Sequence, residues 1–133
     1  MVNSKHETQN AKQIQNYETQ RDKTYNLSIR TLKFAKDVRD YEKDLSKNLC
    51  NLEYGKQLIR SSVSVGANYL EAEDSISKKD FYLRMKISRK EAKESRYWLE
   101  LTETKENNTK KQILINEALE LTKIFGAIVE KSK

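Results

Sequence analysis

Between Phe81 and Thr102 the residues Phe81, Met85, Ser88, Ala92, Ser95, Leu99 and Thr102 follow one another at strict four-three spacing. Such a repeat puts all seven on one stripe of an α-helix; in a strand they would fall on both faces. The middle of the stripe is small (Ser88, Ala92, Ser95), so a partner helix can approach closely there. A single helix cannot bury its own stripe, so the rest of the chain must supply others. Composition agrees: in 133 residues there is no proline, and Gly55, Gly66 and Gly126 are the only glycines. Strands joined by tight turns usually need more of both.

Three further helical patterns accompany the first. One runs from about Thr24 to Ser46, with Tyr25, Ile29, Leu32, Ala35, Val38, Tyr41 and Leu45 as its seam. A second spans about 51–74, with Leu52, Gly55, Ile59, Ser62, Gly66 and Tyr69 inward and Leu58, Val63, Val65 and Leu70 flanking. The heptad helix spans about 78–105 and opens on Ser77 and Asp80, the spacing of a capping box. The last spans about 110–131, with Thr109 and Gln112 as a second such pair and Leu114, Ala118, Leu121, Phe125 and Ile128 inward. Short connections favour antiparallel neighbours. The fold class predicted is all-α: an up-down-up-down four-helix bundle over residues 24–133, preceded by a polar extension over residues 1–23.

The stretch "RSSVSVGANYLEAE", Arg60 to Glu73, is poor helix material, with three serines, a glycine and an asparagine. Ser62 and Gly66 are explained if they meet the small middle of the heptad helix. A glycine's helical cost of up to ~1 kcal/mol is then offset by closer packing. Arg60, Ser64, Asn68 and Glu71 form a separate stripe pointing away from the seam, with Ser61 beside it. That stripe is either an ordinary solvated face or a polar contact surface, in which Arg60 can grip a carboxylate or phosphate with both guanidinium arms.

The formal net charge is +6, and residues 78–105 hold most of it: nine cations against five anions, or +4. On the heptad helix Lys79, Lys86, Arg89, Lys90, Lys93 and Arg96 fall to one side, and Glu91 and Glu94 to the other. Leu83, Ile87, Trp98 and Leu101 make a second apolar stripe, wider than one seam needs. The basic side suits a polyanion such as structured RNA or DNA, or else is a solvated lysine surface.

Catalytic and metal chemistry find little support. His6 and Cys50 are the only histidine and cysteine, so no ordinary zinc set and no internal disulfide can form within the chain. The carboxylate pairs Glu91/Glu94 and Glu71/Asp74 lack the Glu-x-x-His partners of a di-iron bundle. There is no glycine-rich phosphate loop. The expectation is a chain that is not an enzyme, with no cofactor. No apolar run reaches the ~20 residues of a membrane span, and the N-terminus lacks a secretory apolar segment. With the single cysteine, this suggests the cytoplasm.

The segment "LIRSSVSVGANYLEAEDSISKKDFYLRMKISRKEAKESRYWLELT" resembles the bacterial four-helix-bundle family of proteins encoded in intervening sequences of large-subunit ribosomal RNA genes, often labelled the S23 ribosomal protein family. The resemblance is carried by Arg60-Ser61-Ser62, Ser64-Val65-Gly66-Ala67-Asn68, Glu71, Lys79-Asp80-Phe81, Lys90-Glu91-Ala92, Glu94 and Tyr97-Trp98-Leu99, and covers about residues 25–130. It implies homopentamers around a central pore and no established enzymatic activity. A relative, the accessory protein of diversity-generating retroelements, binds nucleic acid and a reverse transcriptase through a basic surface.

Two functions follow as expectations. In one, a homo-oligomer binds structured RNA or DNA through Lys79, Lys86, Arg89, Lys90, Lys93 and Arg96. In the other, a protein partner docks on the Arg60–Glu71 stripe or in the pore. Ile87, Trp98 and Leu101 are expected at the subunit interface. Arg60 and Glu91, on neighbouring helices, are expected to pair.

Overall fold

The computed structural model describes residues 26–105 and 108–133. They form four α-helices: α1 (Leu27–Lys43), α2 (Leu49–Glu73), α3 (Lys78–Leu101) and α4 (Thr109–Lys131), with no strand among the described residues. Each helix packs on its neighbours in sequence. The α2–α3 interface is the most extensive, and α4 closes back on α1 more sparsely. The directions alternate. Across α2 and α3, Arg84 reaches Asn68 at one end and the Glu103 amide reaches Asn51 at the other. The expected up-down-up-down bundle is therefore present. The predicted extension, with Thr24 and Tyr25, lies outside the described residues.

The heptad of α3 is the spine. Met85, Ser88, Ala92, Ser95, Leu99 and Thr102 are all buried, and Phe81 packs against the core from one end. Two helix starts follow the cap rules. Ser77 Oγ accepts the Asp80 amide at 3.0 Å, and Asn48 Oδ1 accepts the Asn51 amide at 2.8 Å. At α4 the cap is Asn108, not Thr109: its side chain accepts from the Lys111 amide at 3.1 Å. Asparagine is the stronger capping residue, and Thr109 becomes the first helical residue.

The seams of α1 and α2 agree with the expectation at Val38, Tyr41 and Leu45 and at Gly55, Ser62 and Tyr69, and shift elsewhere. In α1 the buried residues are Leu27, Thr31, Phe34, Val38 and Tyr41, while Ile29 and Leu32 are 64% and 55% exposed. In α2 the inward line is Asn51, Gly55, Leu58, Ser62, Val65, Tyr69 and Ala72. Leu52, Val63 and Leu70 face outward. Gly66 serves α1 rather than α3. A Cβ built on it would lie 2.8 Å from Thr31 Oγ1, so the missing side chain lets α1 and α2 approach. A small-residue contact with α3 is made by Ser61, expected beside the polar stripe but fully buried, whose Oγ lies 2.9 Å from Ser95 Oγ. Next to it Ser88 Oγ donates to the Val65 carbonyl at 3.0 Å.

Two polar clasps fix the end of the bundle away from the α3 N-terminus. The buried Asn51 amide donates to the carbonyls of Ser46 and Glu103 and accepts the Glu103 amide at 2.8 Å, tying the α1–α2 turn to the exit of α3. Thr102 Oγ1 donates to the Leu99 carbonyl, so the 2.7 Å contact from Tyr41 has the phenol as donor. Burial pushes the Tyr41 phenol above the ordinary tyrosine value.

Candidate nucleic-acid interface

The buried stripe of α3 sets where everything else on that helix points. With Ser88, Ala92 and Ser95 against the core, Lys86, Lys90 and Lys93 lie on the opposite, exposed side, and Arg89 and Arg96 lean toward α4. A groove along α3 is lined by these five cations, with Leu83, Ile87 and, from α4, Leu119 and Thr122. Gly126 helps shape this side. The aliphatic stem of Arg89 crosses α4 there, its Cδ 3.7 Å from where a Cβ would sit.

The electrostatics of the groove are one-sided. Among the described residues no carboxylate lies within 4.0 Å of Lys86, Arg89, Lys90 or Lys93. Arg96 alone has a partner, Glu100 at 3.5 Å, and its Nε is buried without a hydrogen bond. Lys86 Nζ stands 5.3 Å from the centroid of the Tyr82 ring, a cation–π contact. The sixth expected cation, Lys79, is not in this groove. It lies a turn and more toward the α3 N-terminus, beside Lys78, Lys131 and Lys133 at the end of the bundle. The basic side is thus two patches on one face.

The other flank of α3 is closed on itself. Arg60 Nη1 donates to Glu91 Oε2 at 3.1 Å, its Nε donates to Gln57 Oε1 at 3.1 Å, and its Nη2 pairs with Glu94. The expected Arg60–Glu91 pair is thus present. Glu91 is only 6% exposed, and its Oε1 has no hydrogen-bond partner among the described residues. Glu94 also accepts from Trp98 Nε1 at 3.0 Å. The Trp98 ring stacks on Tyr54 at 6.2 Å and meets Tyr97 edge-on at 5.1 Å.

The stripe Arg60, Ser64, Asn68 and Glu71 is largely taken up by hydrogen bonds within the chain. Ser64 Oγ donates to the Arg60 carbonyl, Asn68 Nδ2 donates to the Ser64 carbonyl, and Asn68 Oδ1 accepts from Arg84 at 3.1 Å. Three of its four members are engaged within the chain, and Glu71 is exposed. Ile87, Trp98 and Leu101 are half-buried along the same flank, while Leu83 and Tyr97 are 52% and 58% exposed. The contributions of Leu119, Thr122 and Gly126 were not legible from α3, because only the α3–α4 register brings them to the groove.

Among the described residues no group of three or more His, Cys, Asp or Glu side chains is placed to hold a metal ion. No helix among them is long and apolar enough to cross a membrane. Cys50 is exposed at the start of α2.

Comparison with known proteins bears on the whole bundle. Residues 23–127 match the model of the 23S rRNA-intervening sequence protein family. Among solved structures, the chain is similar to a protein of unknown function from the S23 ribosomal protein family of Bacteroides thetaiotaomicron VPI-5482. The two are 31% identical with a TM-score of 0.69, over 81% of this chain and 98% of the other. No curated protein matches it.

Proposed function

Because the chain belongs to the 23S rRNA-intervening sequence protein family, we propose that it is a non-enzymatic, cytoplasmic helical-bundle protein that binds structured RNA through the basic groove of α3. One observation carries this reading: Lys86, Arg89, Lys90 and Lys93 share a groove in which, among the described residues, no carboxylate lies within 4.0 Å of them. A face made only for solubility ordinarily mixes both signs. Unpaired cations at helical spacing follow a phosphate backbone and release its counterions, a contact that gives affinity without reading bases.

The proposed binding unit is a homopentamer. Five is the number implied by the family resemblance, and the apolar flank of α3 near Trp98 and Leu101, with Tyr97 exposed beside it and Ile87 at its border with the groove, is the proposed contact. Repeating the groove around a ring multiplies weak phosphate contacts into avidity. Engagement of Arg60, Ser64 and Asn68 within the chain weighs against that stripe as a partner's docking site.

The test is Lys90→Glu with Lys93→Glu. Both side chains are exposed and have no carboxylate within 4.0 Å among the described residues, so folding and assembly should survive, as checked by circular dichroism and light scattering. Affinity for a labelled RNA hairpin should fall by about tenfold or more. Unchanged affinity in the intact assembly refutes the groove as the binding face. If the unmodified protein binds no RNA at low salt, an interaction scaffold replaces the RNA reading.

A further inference from the structure

The antiparallel order brings the start of α3 and the end of α4 to one end of the bundle, where they flank an open surface pocket of about 860 Å³. Its walls combine two chemistries. Phe81 and Tyr82 supply aromatic surface, and Lys78, Lys79, Lys131 and Lys133 supply charge. Phe81 continues into an adjoining depression over Ile124 and Ile128, so the apolar surface is broader than one ring. Lys133 is engaged by Glu130 at 3.2 Å. For Lys78, Lys79 and Lys131 no carboxylate lies within 4.0 Å among the described residues. The nearby acid Asp80 faces Arg84 instead, 3.8 Å away. Lys86 stands over the Tyr82 ring, which is half-buried against the core.

Lysines alone would suit a bare inorganic anion, and the rings alone would suit a neutral apolar group. Together they fit a flat aromatic group carrying a phosphate. We propose that this pocket binds a nucleoside phosphate, its base against Phe81 and Tyr82 and its phosphate between Lys78, Lys79 and Lys131. The volume lies within the range of small-molecule sites. Base–aromatic stacking needs no base-specific hydrogen bond and is indifferent to sequence. The partial positive charge of the α3 amino-terminus is offset there by the partial negative charge of the α4 carboxyl-terminus, so attraction for the phosphate rests on the lysines. The same chemistry is offered by a free nucleotide and by the phosphorylated end of an RNA strand. The site extends the nucleic-acid reading to a second place on the molecule and is separable from the groove.

Calorimetric titration of the full chain with adenosine 5′-monophosphate, adenosine, inorganic phosphate and decyl phosphate tests it. The monophosphate should bind more tightly than each of the other three. Lys78→Glu with Lys131→Glu should weaken it about tenfold, since two attractive contacts become repulsive. Phe81→Leu, which keeps apolar volume but removes the ring, should weaken the monophosphate and leave inorganic phosphate unchanged. A 5′-phosphorylated oligoadenylate binding more tightly than the monophosphate identifies a strand end as the ligand; equal affinity identifies the free nucleotide. Inorganic or decyl phosphate binding as well as the nucleotide overturns the proposal. So does a nucleotide affinity unmoved by Lys78→Glu with Lys131→Glu but lost in Lys90→Glu with Lys93→Glu, a result that would leave the groove reading standing.

Discussion

Replacing Arg60 with alanine should destabilise the bundle more than replacing its partner Glu91, although both changes break the same ion pair. Glu91 is 6% exposed, has one oxygen already without a partner, and receives its ion-pair hydrogen bond from Arg60 at 3.1 Å. Removing the cation leaves a buried acid with nothing to offset its desolvation. Stranding a charge costs ~3–5 kcal/mol when both partners are buried. The Arg60 side chain is 47% exposed, so water can take part of its place, and about 2 kcal/mol is the expected loss. In Glu91→Ala the buried acid disappears, and Arg60 keeps Glu94, Gln57 and solvent. The substitution also favours the helix slightly, so a loss of about 1 kcal/mol or less is expected. With both changed, little beyond the Glu91→Ala loss remains, which gives a coupling of about 1–2 kcal/mol. Urea unfolding followed by circular dichroism, at matched protein concentration and a common denaturant slope, measures all four corners of the cycle. Additive losses, or a larger loss for Glu91→Ala than for Arg60→Ala, would refute the reasoning.

Two glycines should respond to the same substitution with opposite sign. Gly66→Ala pushes a Cβ to 2.8 Å from Thr31 Oγ1 and should destabilise by about 1 kcal/mol net, overpacking outweighing helix propensity. Gly126→Ala meets only Arg89 Cδ at 3.7 Å and should stabilise by up to ~1 kcal/mol; thermal unfolding of the two variants checks both. Asn51→Ala strands the Glu103 amide and two carbonyls at a position 2% exposed, so a loss of about 2–4 kcal/mol in urea unfolding is expected. Burial raises the phenols of Tyr41 and Tyr69, the latter with help from Glu73. Above the ordinary value of 10.0 the unfolded chain therefore releases protons that the folded chain keeps, and stability should fall as pH rises past that point. Tyr41→Phe should lose less stability between pH 9 and pH 11 than the unmodified protein, measured as the change in urea midpoint.

The bundle was legible because α3 carries an unbroken four-three repeat and because Ser77 marks where it starts. The phases of α1 and α2 were harder. In α1 the line through Ile29 and Leu32 is as apolar as the true one, which includes the polar Thr31. Thr31 is buried because its hydroxyl donates to the Leu27 carbonyl at 2.5 Å and because Gly66 makes room for it. In α2 the true line begins with Asn51, a residue whose burial makes sense only once the Ser46 and Glu103 backbones converge on it. Local periodicity carries no trace of either arrangement, since both depend on a second helix or turn. The basic side of α3 was readable from spacing alone. That Lys79 separates from the other five and joins Lys78, Lys131 and Lys133 depends on where α4 ends relative to α3. The Arg60–Glu91 pair was legible as two opposite charges on adjacent helices, but the burial of Ser61 beside them was not.

The role proposed for the groove, a phosphate-binding face, is tested most directly by the salt dependence of RNA-hairpin binding, measured by fluorescence anisotropy from low to physiological salt. If Lys86, Arg89, Lys90, Lys93 and Arg96 each engage a phosphate, log K against log salt should fall with a slope of about −3.5 to −4.5 per groove engaged. Lys90→Glu with Lys93→Glu should make that slope shallower by about 1.5 to 2 per groove. A slope near zero, or one that the double reversal leaves unchanged, would contradict the account.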